Sequence, residues 1–350
     1  MLQKHNRRIF IVGLLCYAAL TFSACSQAVA PGPQSIPKTW DDEAIRTVEI
    51  PLSWPSASPV HVTANYYYRI PESPQLFETY PVYHPDREPP GYLDQLRTKK
   101  PQVVFDVAKL KTEEDWIRAG ELVFDHPIGV GEPASFIMDY VRDRKWFEAT
   151  GTPVADDGTV PFLRYVVSNG KVQGAAFSCG MCHTRLMPDG SVVKGAQGNF
   201  PFDQASAFPI RTGTFPLEVI RFGERFLFWV PWRRAELEEE YRRSTLDSIA
   251  SLHEAIPAGV LARHRTTPQY PTQIPDLIGV SERRYLDHTG LQLHRSIEDL
   301  MRYAALNQGA DDLAQYGDFI PAAFAAKGKM PDPSTLMRYS DAQLYALAKF

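Results

Sequence analysis

The sequence predicts a mainly α fold with one β-hairpin and an extended, Pro-rich N-terminal segment. Three observations carry this expectation. Apolar residues recur at helical spacing behind capping residues near Thr112, Ser296 and Ser340. Two short apolar runs flank Ser168-Asn169-Gly170, a hairpin signal. Proline is abundant, 29 in 350 residues, and dense ahead of residue 101. With 44% hydrophobic residues the chain has enough apolar surface for one large or two small domains. A net charge of −4 gives no reason to expect nucleic acid as a partner.

Residues 1–24 read as a signal peptide. Lys4, Arg7 and Arg8 form a basic start, and Ile9 to Phe22 is apolar but too short for an ordinary membrane span. Leu20-Thr21-Phe22-Ser23-Ala24-Cys25 resembles a bacterial lipobox, with Phe22 departing from the usual leucine. Cleavage there puts a lipid on Cys25 and makes the membrane a partner. Ala28-Val29-Ala30 offers the alternative, cleavage to a soluble protein. Either way the mature protein works outside the cytoplasm, in the periplasm of a Gram-negative bacterium. Cys16 lies in the discarded apolar stretch.

Residues 25–100 read as a Pro-rich linker and extended segment that holds a domain, 101–350, off a membrane. Val60 to Ile70 is a candidate strand carrying Tyr66-Tyr67-Tyr68, rings expected to pack down rather than bind. Thr112 to Asp115 caps a helix whose apolar face is Trp116, Ala119, Gly120, Val123 and Phe124. Phe136 to Phe147 is expected to be helical. Phe162 to Val167 and Val172 to Phe177 are expected to form the hairpin. The Gly-dense stretch Met187 to Pro201 suits a backbone passing close to a flat ligand, or an ordinary surface loop. Pro216 to Trp232 is aromatic, with Phe222, Phe226, Phe228, Trp229 and Trp232, and Arg233 to Arg243 reads as a solvated helix. Ser296 and Asp299 cap a helix with Ile297, Leu300, Met301 and Ala304 on its apolar face. Ser340 and Gln343 form a capping box for the last helix, with Leu344, Leu347 and Ala348 on one face. The chain stops inside that helix with no capping glycine, so a C-terminally truncated sequence is expected.

The stretch that carries chemistry is Cys179-Gly180-Met181-Cys182-His183, the C-x-x-C-H pattern of covalent haem attachment. One turn of chain puts both sulfurs under the same porphyrin edge, where each adds across a vinyl group. The next residue then lies beneath the iron. Cys179 and Cys182 are the expected thioether anchors and His183 the proximal ligand. A thioredoxin-like pair needs a βαβ setting, a zinc site needs further soft ligands, and a disulfide three residues apart is strained.

From about Glu113 to Phe350 the chain resembles the N-terminal haem domain of the di-haem cytochrome c peroxidase and MauG-like superfamily. The resemblance rests on Cys179 to His183, on the Pro275-Asp276-Leu277 to Asp287-His288-Thr289-Gly290 run feeding the Ser296 helix, and on the Tyr339–Phe350 helix. It implies a cytochrome c-type fold, haem c with iron, and one-electron transfer with a redox partner protein or a second haem domain. In such proteins a second C-x-x-C-H follows, and none is present here. The acidic Glu-Met pair of the peroxidases is also absent from Leu306 to Asp312, so the resemblance does not by itself carry peroxide chemistry over. Two functions remain in view: an electron-transfer cytochrome, and a peroxidase- or oxygenase-type di-haem enzyme with an open distal site. The sixth iron ligand separates them, with Met330, before Pro331, and His288 and His294 as candidates.

Overall fold

The structure, a computed structural model, describes residues 35–54, 57–72, 75–127, 140–168, 170–174, 177–228, 235–262, 268–287, 289–307, 309–320 and 330–350. The signal segment, Cys25, Phe136, Trp229, Trp232 and His288 lie outside them. In chain order the elements are α1 (Asp42–Arg46), β1 (Val60–His61), α2 (Ala64–Tyr67), β2 (Thr79–Tyr83), α3 (Tyr92–Thr98), α4 (Glu113–Asp125), α5 (Arg144–Thr150), β3 (Thr159–Ser168), β4 (Lys171–Gly174) and α6 (Cys179–His183). After these come β5 (Thr184–Leu186), β6 (Val192–Lys194), α7 (Phe202–Arg211), α8 (Leu217–Phe228), α9 (Ala235–Arg243), α10 (Leu246–Glu254), β7 (Val260–Leu261), β8 (Thr272–Gln273), α11 (Ile297–Asn307), β9 (Ala314–Gln315) and α12 (Asp341–Lys349).

The expected mainly α fold is corrected to a mixed one. About 40% of the described residues are helix and 17% strand, the latter in several small sheets. Strands as short as β1, β7, β8 and β9, two residues each, carry no alternation long enough to read. β1 and β9 form where two loops from distant parts of the chain meet, Val60 opposite Gln315, whereas β7 and β8 pair locally, Val260 opposite Gln273.

One core cluster gathers around α4, α11 and α12. The α4 face is the expected one: Trp116, Ala119, Gly120, Val123 and Phe124 are all buried, behind a Thr112–Asp115 capping box. The α12 capping box of Ser340 and Gln343 is also present. The two helices cross at Gly120, where a Cβ would stand 2.0 Å from the Ala346 carbonyl oxygen. On α11 the buried residues are Asp299, Met301, Arg302, Ala305 and Leu306, so the inward face is rotated from the expected one and carries an ion pair. Asp299 accepts from the Arg295 backbone and from the guanidinium groups of Arg295 and Arg302.

The extended linker expected over 25–100 is corrected over 35–100. Trp40, Val48, Tyr67, Ile70 and Leu76 are buried in the same cluster. Trp40 stacks on Tyr67 at 4.4 Å and donates from Nε1 to the Val62 carbonyl at 2.9 Å. Burial of such side chains stabilises by about 2 kcal/mol apiece, which offsets the cost of ordering a loop-rich segment. The expected strand over Val60 to Ile70 ends at His61, because the Thr63 hydroxyl accepts from the Tyr66 backbone and starts α2.

A second cluster lies under the sheet β2-β3-β4, where Val160, Phe162 and Tyr165 meet Leu93, Trp146, Met181 and Phe200. The expected hairpin is β3–β4, with Ser168 opposite Lys171 and Gly170 at φ 71°. The helix expected over Phe136 to Phe147 is described only in part: α5 starts at Arg144, capped by Asp143. The aromatic stretch and the charged stretch after it are α8 and α9; Phe222 on α8 is exposed.

Candidate functional site

The hairpin delivers the chain to α6 through Phe177, whose φ of 48° is a left-handed value for a side-chain-bearing residue. Ser178 then caps the turn, its hydroxyl accepting from the Met181 backbone at 3.0 Å. The two residues between the cysteines anchor the turn. Met181 is buried in the cluster under the sheet. Gly180 lies on the end of α4, where a Cβ would meet Asp125 Oδ1 at 3.2 Å and Phe124 Cε1 at 3.4 Å. Cys179 and Cys182, three apart on one helical turn, stand as half-buried thiols on a shared face.

His183 Nδ1 is 3.0 Å from the carbonyl oxygen of Pro275, 92 residues on. A carbonyl only accepts, so Nδ1 carries the proton and the lone pair is left on Nε2. This is the tautomer and orientation of a histidine that ligates through Nε2. Burial pushes the ring pKa down to about 4, against the Pro275 carbonyl and the Asp276 charge, which act the other way. The imidazole is therefore neutral near pH 7.

The Gly-dense stretch does bring backbone close, but to α6 itself. Gly198 donates to the Cys182 carbonyl at 2.9 Å, and a Cβ there would lie 2.2 Å from the same oxygen. Gly195 donates to the His183 carbonyl at 2.7 Å and accepts from Leu277 at 2.6 Å. The loop at 275–277 is thus tied to His183 twice, through the ring and through Gly195. From the other side Tyr339, at the entry to α12, is buried beside the motif. Burial, and then the Cys179 sulfur, push its phenol pKa up.

The structure therefore unites Cys179, Cys182 and His183 with Pro275, whose part the residues alone did not reveal. The available signal was the proline, whose locked φ narrows the backbone conformations open to the loop. Of the sixth-ligand candidates, Met330 is half-buried against the cluster that includes Tyr339, and Tyr66 donates to the neighbouring Pro331 carbonyl at 2.5 Å. His294 points Nδ1 at the Arg283 carbonyl, 2.8 Å away. His288 lies outside the described residues.

The donor set fits a covalently held haem: two thiols one turn apart and a neutral imidazole whose Nε2 is available. The competing readings lack their settings. The ladders among the described strands are antiparallel, whereas a thioredoxin-like pair needs a parallel βαβ unit. Among the described residues no three His, Cys, Asp or Glu side chains gather as for a metal ion. The chain matches no protein-family model, no curated protein and no solved structure.

Proposed function

We propose that this chain is an exported c-type cytochrome that moves single electrons in the periplasm. Cys179 and Cys182 hold the haem by thioethers, and His183 is the proximal iron ligand. The observation that carries the reading is the hydrogen bond from His183 Nδ1 to Pro275, which presents Nε2 as a neutral donor. A bound haem supplies one-electron iron chemistry. The chain's own contribution is to fix the imidazole tautomer, to keep the ring neutral by burial, and to hold both thiols on one turn. The electron partner in this reading is a second haem domain or a separate redox protein. The membrane is reached through a lipid on Cys25; Cys25→Ala is expected to move the protein from the membrane to the soluble fraction, and an unchanged distribution refutes the anchor.

The test is production with its signal in a host that matures cytochromes c. A red protein with haem retained through acid-acetone extraction is expected. Loss of that retained haem in the Cys179→Ala, Cys182→Ala double variant completes the support, and a colourless wild-type protein overturns the reading. The ferric spectrum then separates the two functions. A low-spin form, unaltered by carbon monoxide after reduction, marks a filled sixth position and electron transfer. A carbon monoxide complex marks the open site of a peroxidase- or oxygenase-type enzyme.

A further inference from the structure

The loop that meets His183 is braced by a single arginine. Arg283 Nη1 donates to the Asp276 carbonyl at 2.7 Å, and Nη2 donates to Asp276 Oδ1 at 2.6 Å and to the Ile278 carbonyl at 2.8 Å. These three bonds close the arc from 276 to 283 onto itself. At its front the arc carries the two ties to His183, from the Pro275 carbonyl and from Leu277 through Gly195. The arc borders a cavity of about 310 Å³, lined also by Gln197, Gln273, Pro275 and Tyr285. An arc that borders open space is not held in place by packing alone. The planar guanidinium fork supplies what packing does not, a fixed direction for the Asp276 and Ile278 carbonyls and for the Asp276 side chain next to Pro275.

The same arginine sets the charge felt at the ring. Asp276 directly follows Pro275, whose carbonyl meets His183 Nδ1 at 3.0 Å, so its carboxylate is the charge one residue from the ring's partner. Arg283 sits on that carboxylate and offsets it.

We infer that Arg283 is a positioning residue for the proximal imidazole. It acts through Asp276 and the Pro275 carbonyl and sets how strongly the ring donates to iron. This rests on the proposed haem attachment. With Arg283 removed, the uncompensated Asp276 carboxylate stabilises the extra positive charge of the ferric state. With the Asp276 charge removed and Arg283 kept, the ferric state loses that support. The two changes therefore act with opposite sign on the reduction potential, which a purely structural brace does not produce.

The experiment is spectroelectrochemical titration of the mature holoprotein and its variants Arg283→Met, Arg283→Lys and Asp276→Asn. In R283M the oxidised-to-reduced ratio at fixed potential is expected to rise by up to about tenfold, a fall in midpoint of up to about 59 mV for one electron. D276N is expected to shift it the other way. R283K keeps the charge but loses the fork. It is expected to sit near wild type in potential, while the His183 Nδ1 proton, followed by NMR in the reduced protein, exchanges faster with solvent. Should R283M not accumulate, R283Q takes its place with the same expected sign. Shifts of R283M and D276N in the same direction, or neither above about twofold in the ratio, overturn the inference. Those results come from a red protein and leave the haem reading intact; a colourless wild type removes the reading itself.

Discussion

Gly120→Ala tests the helix crossing on which the first core cluster depends. In an isolated helix this change stabilises by about 1 kcal/mol, because alanine loses less backbone freedom than glycine. Here the new Cβ would meet Ala346 O at 2.0 Å, and both Ala346 C and Phe350 Cβ at 2.7 Å. The first two are backbone atoms, so no rotamer change relieves the overlap. The helices have to separate by roughly 1.5 Å to regain ordinary contact. That loosens the packing of Trp116, which meets the Tyr345 ring edge-on at 5.1 Å. Overpacking of this kind costs typically about 1–3 kcal/mol, more where backbone moves, so the net loss is about 2 kcal/mol. Gly223→Ala in α8 is the control. It has ordinary helical φ and nothing within 4 Å of the added Cβ. It is expected to gain a few tenths of a kcal/mol, up to about 1. Urea unfolding followed by tryptophan fluorescence reads both. A Gly120→Ala protein as stable as wild type refutes the close crossing.

Three further outcomes are expected. Thr112→Ala removes the hydroxyl that accepts from Asp115 N at 3.1 Å and is expected to cost about 1 kcal/mol in the same assay. His126 is buried, and burial pushes its pKa down to about 4, with the Pro127 carbonyl opposing. The unfolded chain binds this proton first, so the contribution of neutral His126 is complete above about pH 6.5 and is lost as pH falls toward 4. His126→Gln is expected to flatten that part of the stability profile, and an unchanged slope counts against it. Asp299 has its pKa lowered to about 2: burial, the largest single influence, raises it but is outweighed by Arg295 and Arg302. Its contribution is present above its ordinary carboxylate value near 4 and disappears as pH falls toward 2. Asp299→Asn leaves Arg302, itself buried, without its counter-charge, and a loss of about 3–5 kcal/mol at pH 7 is expected. A loss under about 1 kcal/mol shows that the pair is not isolated from water.

What could be read from the residues was local and periodic. The α4 face, the α12 capping box and the β3–β4 hairpin each depend on side chains within a few residues of one another, and each is present. What could not be read depends on partners far along the chain. Trp40 looks like a ring in a Pro-rich linker until Tyr67 stacks on it and α12 closes beneath. The inward face of α11 escaped a purely apolar count because Asp299 and Arg302 neutralise each other inside the core. The two-residue strands β1 and β9 exist only through each other, far apart in the chain. At the site, the spacing of Cys179, Cys182 and His183 was plain, whereas the contact of Pro275 with His183 and the brace from Arg283 became visible only once the chain was folded.

The seating of Trp40 also limits reach. Thr39 and Lys38 already hold Asp341 at the start of α12, through a backbone bond of 3.2 Å and an ion pair of 3.4 Å. A lipid on Cys25 would leave a leash of about fifteen residues, no more than roughly 50 Å at full stretch. Any electron donor or acceptor serving a domain so tethered has to work close to the bilayer surface. Pull on that leash would fall first on the contact between Thr39 and α12, far along the chain from the cysteines.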